Sequence, residues 1–91
     1  MEYEWDDNKN ASNVAQHDGI DFSSMEDFNW DLALVASDTA HSKDEPRFTA
    51  IGFINKRLHV CIYTWRGTNR RVISLRKANA RERKFYEQEK T

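Results

Sequence analysis

Ninety-one residues, 38% hydrophobic and 32% charged, predict one folded domain over 1–91 with a modest core, since a chain this short buries only roughly 60% of its unfolded surface. One cysteine, Cys61, excludes an internal disulfide. Neither a leader-like pattern nor a membrane-spanning apolar run occurs, so a cytoplasmic protein is expected.

The net charge of −1 hides a division. Residues 1–45 carry Lys9 and Lys43 against twelve carboxylates, 2 − 12 = −10. Residues 46–91 carry twelve Lys and Arg against Glu82, Glu87 and Glu89, 12 − 3 = +9. Such a split marks a basic binding face, or lets two halves of one fold attract each other.

In chain order, Glu2 to Trp5 reads as a short edge strand. Asp6 or Asp7 caps a helix running to about His17, with Gly19 as its stop. Lys9, Asn13 and His17 are spaced i, i+4, i+8 and share one stripe. Ala11, Val14 and Ala15 supply an apolar face, and a polar stripe is ordinarily the solvated side. Phe22 to Phe28 predicts a second short helix, with Ser23 and Glu26 in capping-box spacing and Phe22 as the staple. Phe28 and Trp30 belong to the core. Leu32 to Ala36 is a strand candidate. Ser37 to Pro46 reads as a loop; its His41, Asp44 and Glu45 match no metal-ligand spacing.

Arg47 to Phe53 reads as a strand, Asn55 to Arg57 as a turn, and Leu58 to Trp65 as a central strand, because apolar residues occupy both faces. Val60 and Ile62 share one face; Cys61, Tyr63 and Trp65 share the other. Arg66 to Asn69 turns the chain, and Arg70 to Leu75 returns as a third antiparallel strand. Asn79 and Glu82 then have the form of a capping box opening a helix near Ala80. Phe85 is expected on that helix's apolar side. Arg76 and Lys77 fall in the corner, and with Arg81 they surround a helix start that favours anions. The alternative is a set of solvated loop charges.

The chain has no phosphate-binding glycine loop, zinc-ligand cluster or nucleophile elbow. Cys61 sits mid-strand, which disfavours a nucleophilic role. What remains is basic residues near strand ends, Arg47, Arg66, Arg70, Arg71, Arg76 and Arg81, with Tyr63, Trp65 and Tyr86 among them. Arginine forks match phosphate and aromatic rings stack unpaired bases, so RNA suits this inventory. RNA cleavage can use its own 2′-hydroxyl as nucleophile. The protein must align the attack, move protons and stabilise charge on phosphorus. His17, Tyr86 and Glu45 are the groups able to move protons.

These residues resemble the BrnT family of type II toxins, ribonuclease partners of BrnA antitoxins. The resemblance covers nearly the whole chain. It begins with Glu4-Trp5-Asp6, Lys9, Asn13 and His17. It continues through Glu45-Pro46-Arg47-Phe48, Ile51-Gly52, Arg57-Leu58-His59-Val60 and Thr64, Arg66, Gly67. It closes with Arg71-Val72-Ile73-Ser74-Leu75-Arg76-Lys77-Ala78-Asn79, Arg81-Glu82 and Tyr86-Glu87, the most specific run. Departures fall at Asp18, which separates His17 from Gly19, at Gln16 where the family commonly has Lys, and at Trp65 where it commonly has an acid.

The resemblance implies an α+β, RelE-like fold: a twisted, mainly antiparallel sheet with two N-terminal helices and one C-terminal helix. It implies metal-independent RNA cleavage that halts translation, with no cofactor. It also implies a hetero-oligomer with a BrnA-like, DNA-binding antitoxin that represses the shared operon. On that basis Lys9, His17, Arg66, Arg76, Arg81 and Tyr86 are expected to be catalytic. Arg47, Arg71 and Lys77 are expected to bind RNA. Trp5, Asp6, Asn79 and Glu82 read as structural. The rival reading is a non-catalytic RNA- or protein-binding module with a basic face.

Overall fold

The computed structural model describes residues 2–38 and 45–90. A five-stranded sheet carries the fold, built from β1 (Tyr3–Glu4), β2 (Leu34–Asp38), β3 (Arg47–Ile54), β4 (Arg57–Arg66) and β5 (Asn69–Lys77). Spatial order is β1-β5-β4-β3-β2, antiparallel except for the parallel β1–β5 pair. The α-helices are α1 (Asp7–Gln16) and α2 (Ala80–Lys90). The fold is therefore α+β, and β4 takes the central place its two apolar faces predict. The expected strand at 32–36 lies two residues later, and the turn before β4 is shorter by Arg57. His41 and Asp44 lie outside the described residues.

The sheet has two differently covered faces. On the first, Phe22, Met25 and Phe28 pack on Ala50, Ile54, Cys61, Tyr63, Val72 and Leu75. Phe22, Met25, Cys61 and Leu75 are wholly buried there. Gly52 in β3 gives room for Phe28, whose ring lies where any larger side chain would stand. On the second face Tyr86 of α2 and Ala78, which precedes that helix, pack with Leu58 and Val60, with Leu34, Ile51 and Phe53 at the margin.

The second predicted helix is a 3₁₀ segment, Phe22–Asp27, followed by a short one at Trp30–Leu32. Its cap is Asp21, which accepts from the Ser23 N–H at 2.8 Å; the Ser23–Glu26 box does not form. Phe28 ends the segment by bridging to Ile54 in β3, so tertiary pairing limits its length.

Two helix faces also differ from expectation. In α1 the buried residue is Asn13, while Ala11 and Ala15 are exposed. In α2 the buried residue is Tyr86, and Phe85 is half exposed at 50%.

One irregularity orders everything that follows. Ile62 pairs with Ser74 but Tyr63 with Val72, so Ile73 is an extra residue bulged out of β5. In a regular strand, residues three apart point to opposite faces. The bulge shifts the alternation, so Val72 and Leu75 both enter the first core, 1% and 0% exposed. It also lets Arg71 and Arg76, five residues apart, share the second face.

Candidate nucleic-acid interface

The second face is only partly covered by α2, and the remainder collects arginines. Residues directly opposed in a ladder share a face. Val60 opposes Arg76 and Thr64 opposes Arg71. Arg66 alternates with Thr64 along β4, and Arg47 precedes Phe48, which belongs to the first face with Tyr63. Arg47, Arg66, Arg71 and Arg76 therefore lie on one surface.

Arg66, Arg71 and Arg76 are held by carboxylates from other segments of the chain. Arg66 donates Nε and Nη2 to Glu45, both at 3.2 Å. Arg71 donates Nη1 to Glu4 Oε2 at 2.9 Å. Arg76 donates Nη1 and Nη2 to the two oxygens of Glu82, both at 2.7 Å. The Arg76 pair holds the Glu82 carboxyl below its ordinary range and raises the arginine. Glu4 and Glu45 belong to the acidic half of the chain and Arg66 and Arg71 to the basic half. The charge division thus works partly within the fold. A guanidinium has five N–H donors, so each arginine retains donors for a phosphate.

Helix α1 lies along the β5 edge beyond the end of β1. Asp6 caps it, accepting from the Asn8 and Lys9 N–H groups at 2.8 and 3.2 Å. His17 closes it, and Asp18 and Gly19 turn the chain with positive φ of 55° and 75°. The Asn13 amide replaces a missing strand at Leu75: it donates to that carbonyl at 2.8 Å and accepts from that N–H at 3.1 Å. It also donates to Ile20 O at 3.0 Å. One helical turn to either side, Lys9 and His17 border an open groove of about 350 Å³, whose other wall is Ile73 and Ser74. Those two residues lie on β5 between Arg71 and Arg76.

Not every sequence expectation for these residues holds. Arg76 and Lys77 are not in a loop corner; both belong to β5, and strand alternation sends Lys77 to the face opposite Arg76, across from His59. The anion-favouring helix start is filled by Glu82, whose Oε1 accepts from the Asn79 N–H at 2.9 Å while Asn79 Oδ1 accepts from the Glu82 N–H at 2.8 Å. Arg81 is exposed on the first turn of α2. Tyr86 is 7% exposed, packs edge-on against Phe53 and donates its hydroxyl to Leu32 O at 2.7 Å. Arg70 sits on the first face, 3.7 Å above the Trp30 ring and 4.5 Å from that of Trp65. Burial pushes the Cys61 thiol up to about 12, which leaves it no thiolate near neutral pH. The described residues hold no group of three or more metal-ligating side chains.

A sheet with one partly covered face that carries arginines, bordered by a groove that Lys9 and His17 help to line, defines a small α+β protein. The chain belongs to the BrnT family: the model of that family, described as the ribonuclease toxin BrnT of a type II toxin–antitoxin system, matches residues 5–82. A type II system pairs its toxin with a protein antitoxin. No curated protein matches the chain. No helix among the described residues is long and apolar enough to cross a membrane.

Proposed function

We propose that this protein is a metal-independent endoribonuclease, one RelE-like domain over 1–91, whose cleavage of RNA in the cytoplasm inhibits translation. Arg66, Arg71 and Arg76 bind the phosphodiester, with Arg47 extending the track. Lys9 and His17 act across the groove. The 2′-hydroxyl attacks phosphorus, the P–O5′ bond breaks, and a 2′,3′-cyclic phosphate and a 5′-hydroxyl form. The arginines stabilise charge on the phosphorane oxygens. His17 moves the proton and Lys9 orients the substrate. Arg81 is a peripheral phosphate contact at the α2 start, and Lys77 contacts RNA only beyond the groove. Tyr86, with its hydroxyl bound to Leu32, is structural in this reading. A BrnA-like antitoxin neutralises the toxin in a hetero-oligomer and represses the shared operon through its own DNA-binding part.

The observation that carries this reading is the bulge at Ile73. It sets Arg71 and Arg76 on one face with Arg66 and points the intervening residues at Lys9 and His17. The test is cleavage of a defined RNA by purified, antitoxin-free protein, beside folded His17→Ala and Arg66→Ala variants. Both are expected to lose cleavage while retaining the parental circular dichroism spectrum.

A second reading is favoured by the carboxylates on Arg66, Arg71 and Arg76. With the phosphate track already neutralised, the face serves as a binding module that holds RNA or a protein without cleaving. RNA bound with a steep salt dependence and left intact by the free protein is its expected outcome.

A further inference from the structure

Glu82 performs two tasks with one carboxylate. Its Oε1 closes the capping box at 2.9 Å from the Asn79 N–H and also accepts from Arg76 Nη1 at 2.7 Å. Its Oε2 accepts from Arg76 Nη2, again at 2.7 Å. The cap in turn is fixed from the other side, because the Glu82 N–H donates to Asn79 Oδ1 at 2.8 Å. The backbone of α2's first turn therefore locates the carboxylate, and the carboxylate locates the guanidinium. Arg76 Nη1 also reaches Lys77 O at 3.4 Å, a weaker restraint.

A helix cap needs only one acceptor oxygen at this position. Glutamine supplies it as well as glutamate does. The second oxygen is surplus to capping and is directed at Arg76, and the negative charge serves both the helix start and the guanidinium. The fork-to-fork pairing uses the outer Nη1–Nη2 edge of the guanidinium. It leaves the Nε–Nη2 edge, a second bidentate surface, for an incoming phosphate. A free arginine side chain loses several rotamers on engaging its ligand, at a free-energy cost that the Glu82 contact removes in advance.

We infer that Glu82 is a positioning residue for the reaction: it holds Arg76 in the orientation that meets charge developing on the scissile phosphate. This rests on the proposed reading of Arg76 as a phosphate contact. Glu82 itself touches no substrate. Being negative, it also repels RNA slightly, so its charge helps turnover while opposing ground-state binding. A residue serving only the cap has no such division.

The experiment is steady-state cleavage of a short fluorogenic RNA by the parent, Glu82→Gln, Arg76→Ala and the double variant, with circular dichroism and thermal unfolding of each. Glu82→Gln keeps the cap and is expected to keep the fold. Its kcat is expected to fall by up to about 10²-fold, the scale of a 1 Å misplacement of a catalytic contact, while its KM stays level or falls. Arg76→Ala is expected to lose about 10²–10³-fold in kcat, leaving a measurable rate. Adding Glu82→Gln to it is expected to lower kcat no further, since the carboxylate then has nothing to position. Parental kcat in Glu82→Gln, or a raised KM at unchanged kcat, overturns the inference while leaving the arginine face standing. So does a further loss in the double variant. Parental cleavage by folded Arg76→Ala overturns the reading of Arg76 itself, and the inference with it.

Discussion

Replacing Asn13 with alanine tests how α1 is fixed to the sheet. The side chain is 5% exposed and makes three hydrogen bonds, two to the Leu75 backbone and one to Ile20 O. Each such bond contributes about 1 kcal/mol net, and a buried N–H stranded without a partner costs about 1–3 kcal/mol. Leu75 is wholly buried, so water has poor access to its amide. The expected loss is about 3 kcal/mol. For a domain of this size that is a Tm decrease of roughly 12–24 °C. Asn13→Asp retains the acceptor for the Leu75 N–H but sets a carboxylate against two carbonyls, so it should lose at least as much. Ser12→Ala, on the exposed side of the same turn, should stay within about 0.5 kcal/mol. Thermal and urea unfolding followed by circular dichroism read all three. An Asn13→Ala decrease below about 4 °C would place less than about 1 kcal/mol in the amide and show that it does not fix α1 to the sheet.

Three further outcomes follow from single contacts. Gly52→Ala sets a Cβ 2.5 Å from Phe28 Cζ, so urea unfolding should show a loss of about 1–3 kcal/mol, partly recovered by adding Phe28→Leu. Tyr86→Phe removes the hydroxyl bond to Leu32 O and should cost about 1 kcal/mol by the same measurement, with RNA cleavage retained. Arg76 holds the folded Glu82 carboxyl below its ordinary value of 4.5, so the unfolded chain binds the proton more readily. Stability should therefore fall as pH drops through 4.5 towards the folded value. Urea midpoints at neutral pH and near pH 3 should show this acid sensitivity in the parent and a smaller one in Glu82→Gln.

The strands were legible because their signals are local. Apolar residues on both faces of β4 and turn residues at Arg66 to Asn69 were sufficient to arrange β3, β4 and β5. The capping box of Asn79 and Glu82 was legible for the same reason. The face of α1 was not. Val14 and two alanines look more apolar than Asn13, and only the β5 edge that no strand pairs at Leu75, a tertiary feature, makes a buried amide the better occupant. The face of α2 failed similarly: Phe85 and Tyr86 are adjacent, and a carbonyl at Leu32 decides for Tyr86.

The site was visible as an inventory rather than as an arrangement. Lys9, His17, Arg66, Arg71 and Arg76 were all singled out in the sequence. Regular alternation, however, separates Arg71 from Arg76, and only the extra residue at Ile73 unites them. The pairing of Arg76 with Lys77 failed on that alternation. The carboxylates of Glu4 and Glu45 on Arg71 and Arg66 had a faint signal in the opposite charges of the two halves. Nothing in the sequence spacing assigns either acid to its arginine.

The most direct test is cleavage of a defined RNA by the purified, antitoxin-free protein, measured beside Arg66→Ala and Arg76→Ala variants shown to be folded. Cleavage by the parent is expected, with a 2′,3′-cyclic phosphate product, and a rate loss of about 10²–10³-fold in each variant, the scale for removing one preorganised charge contact. RNA bound but left intact by the parent, or parental rates in both folded variants, would contradict the proposed function.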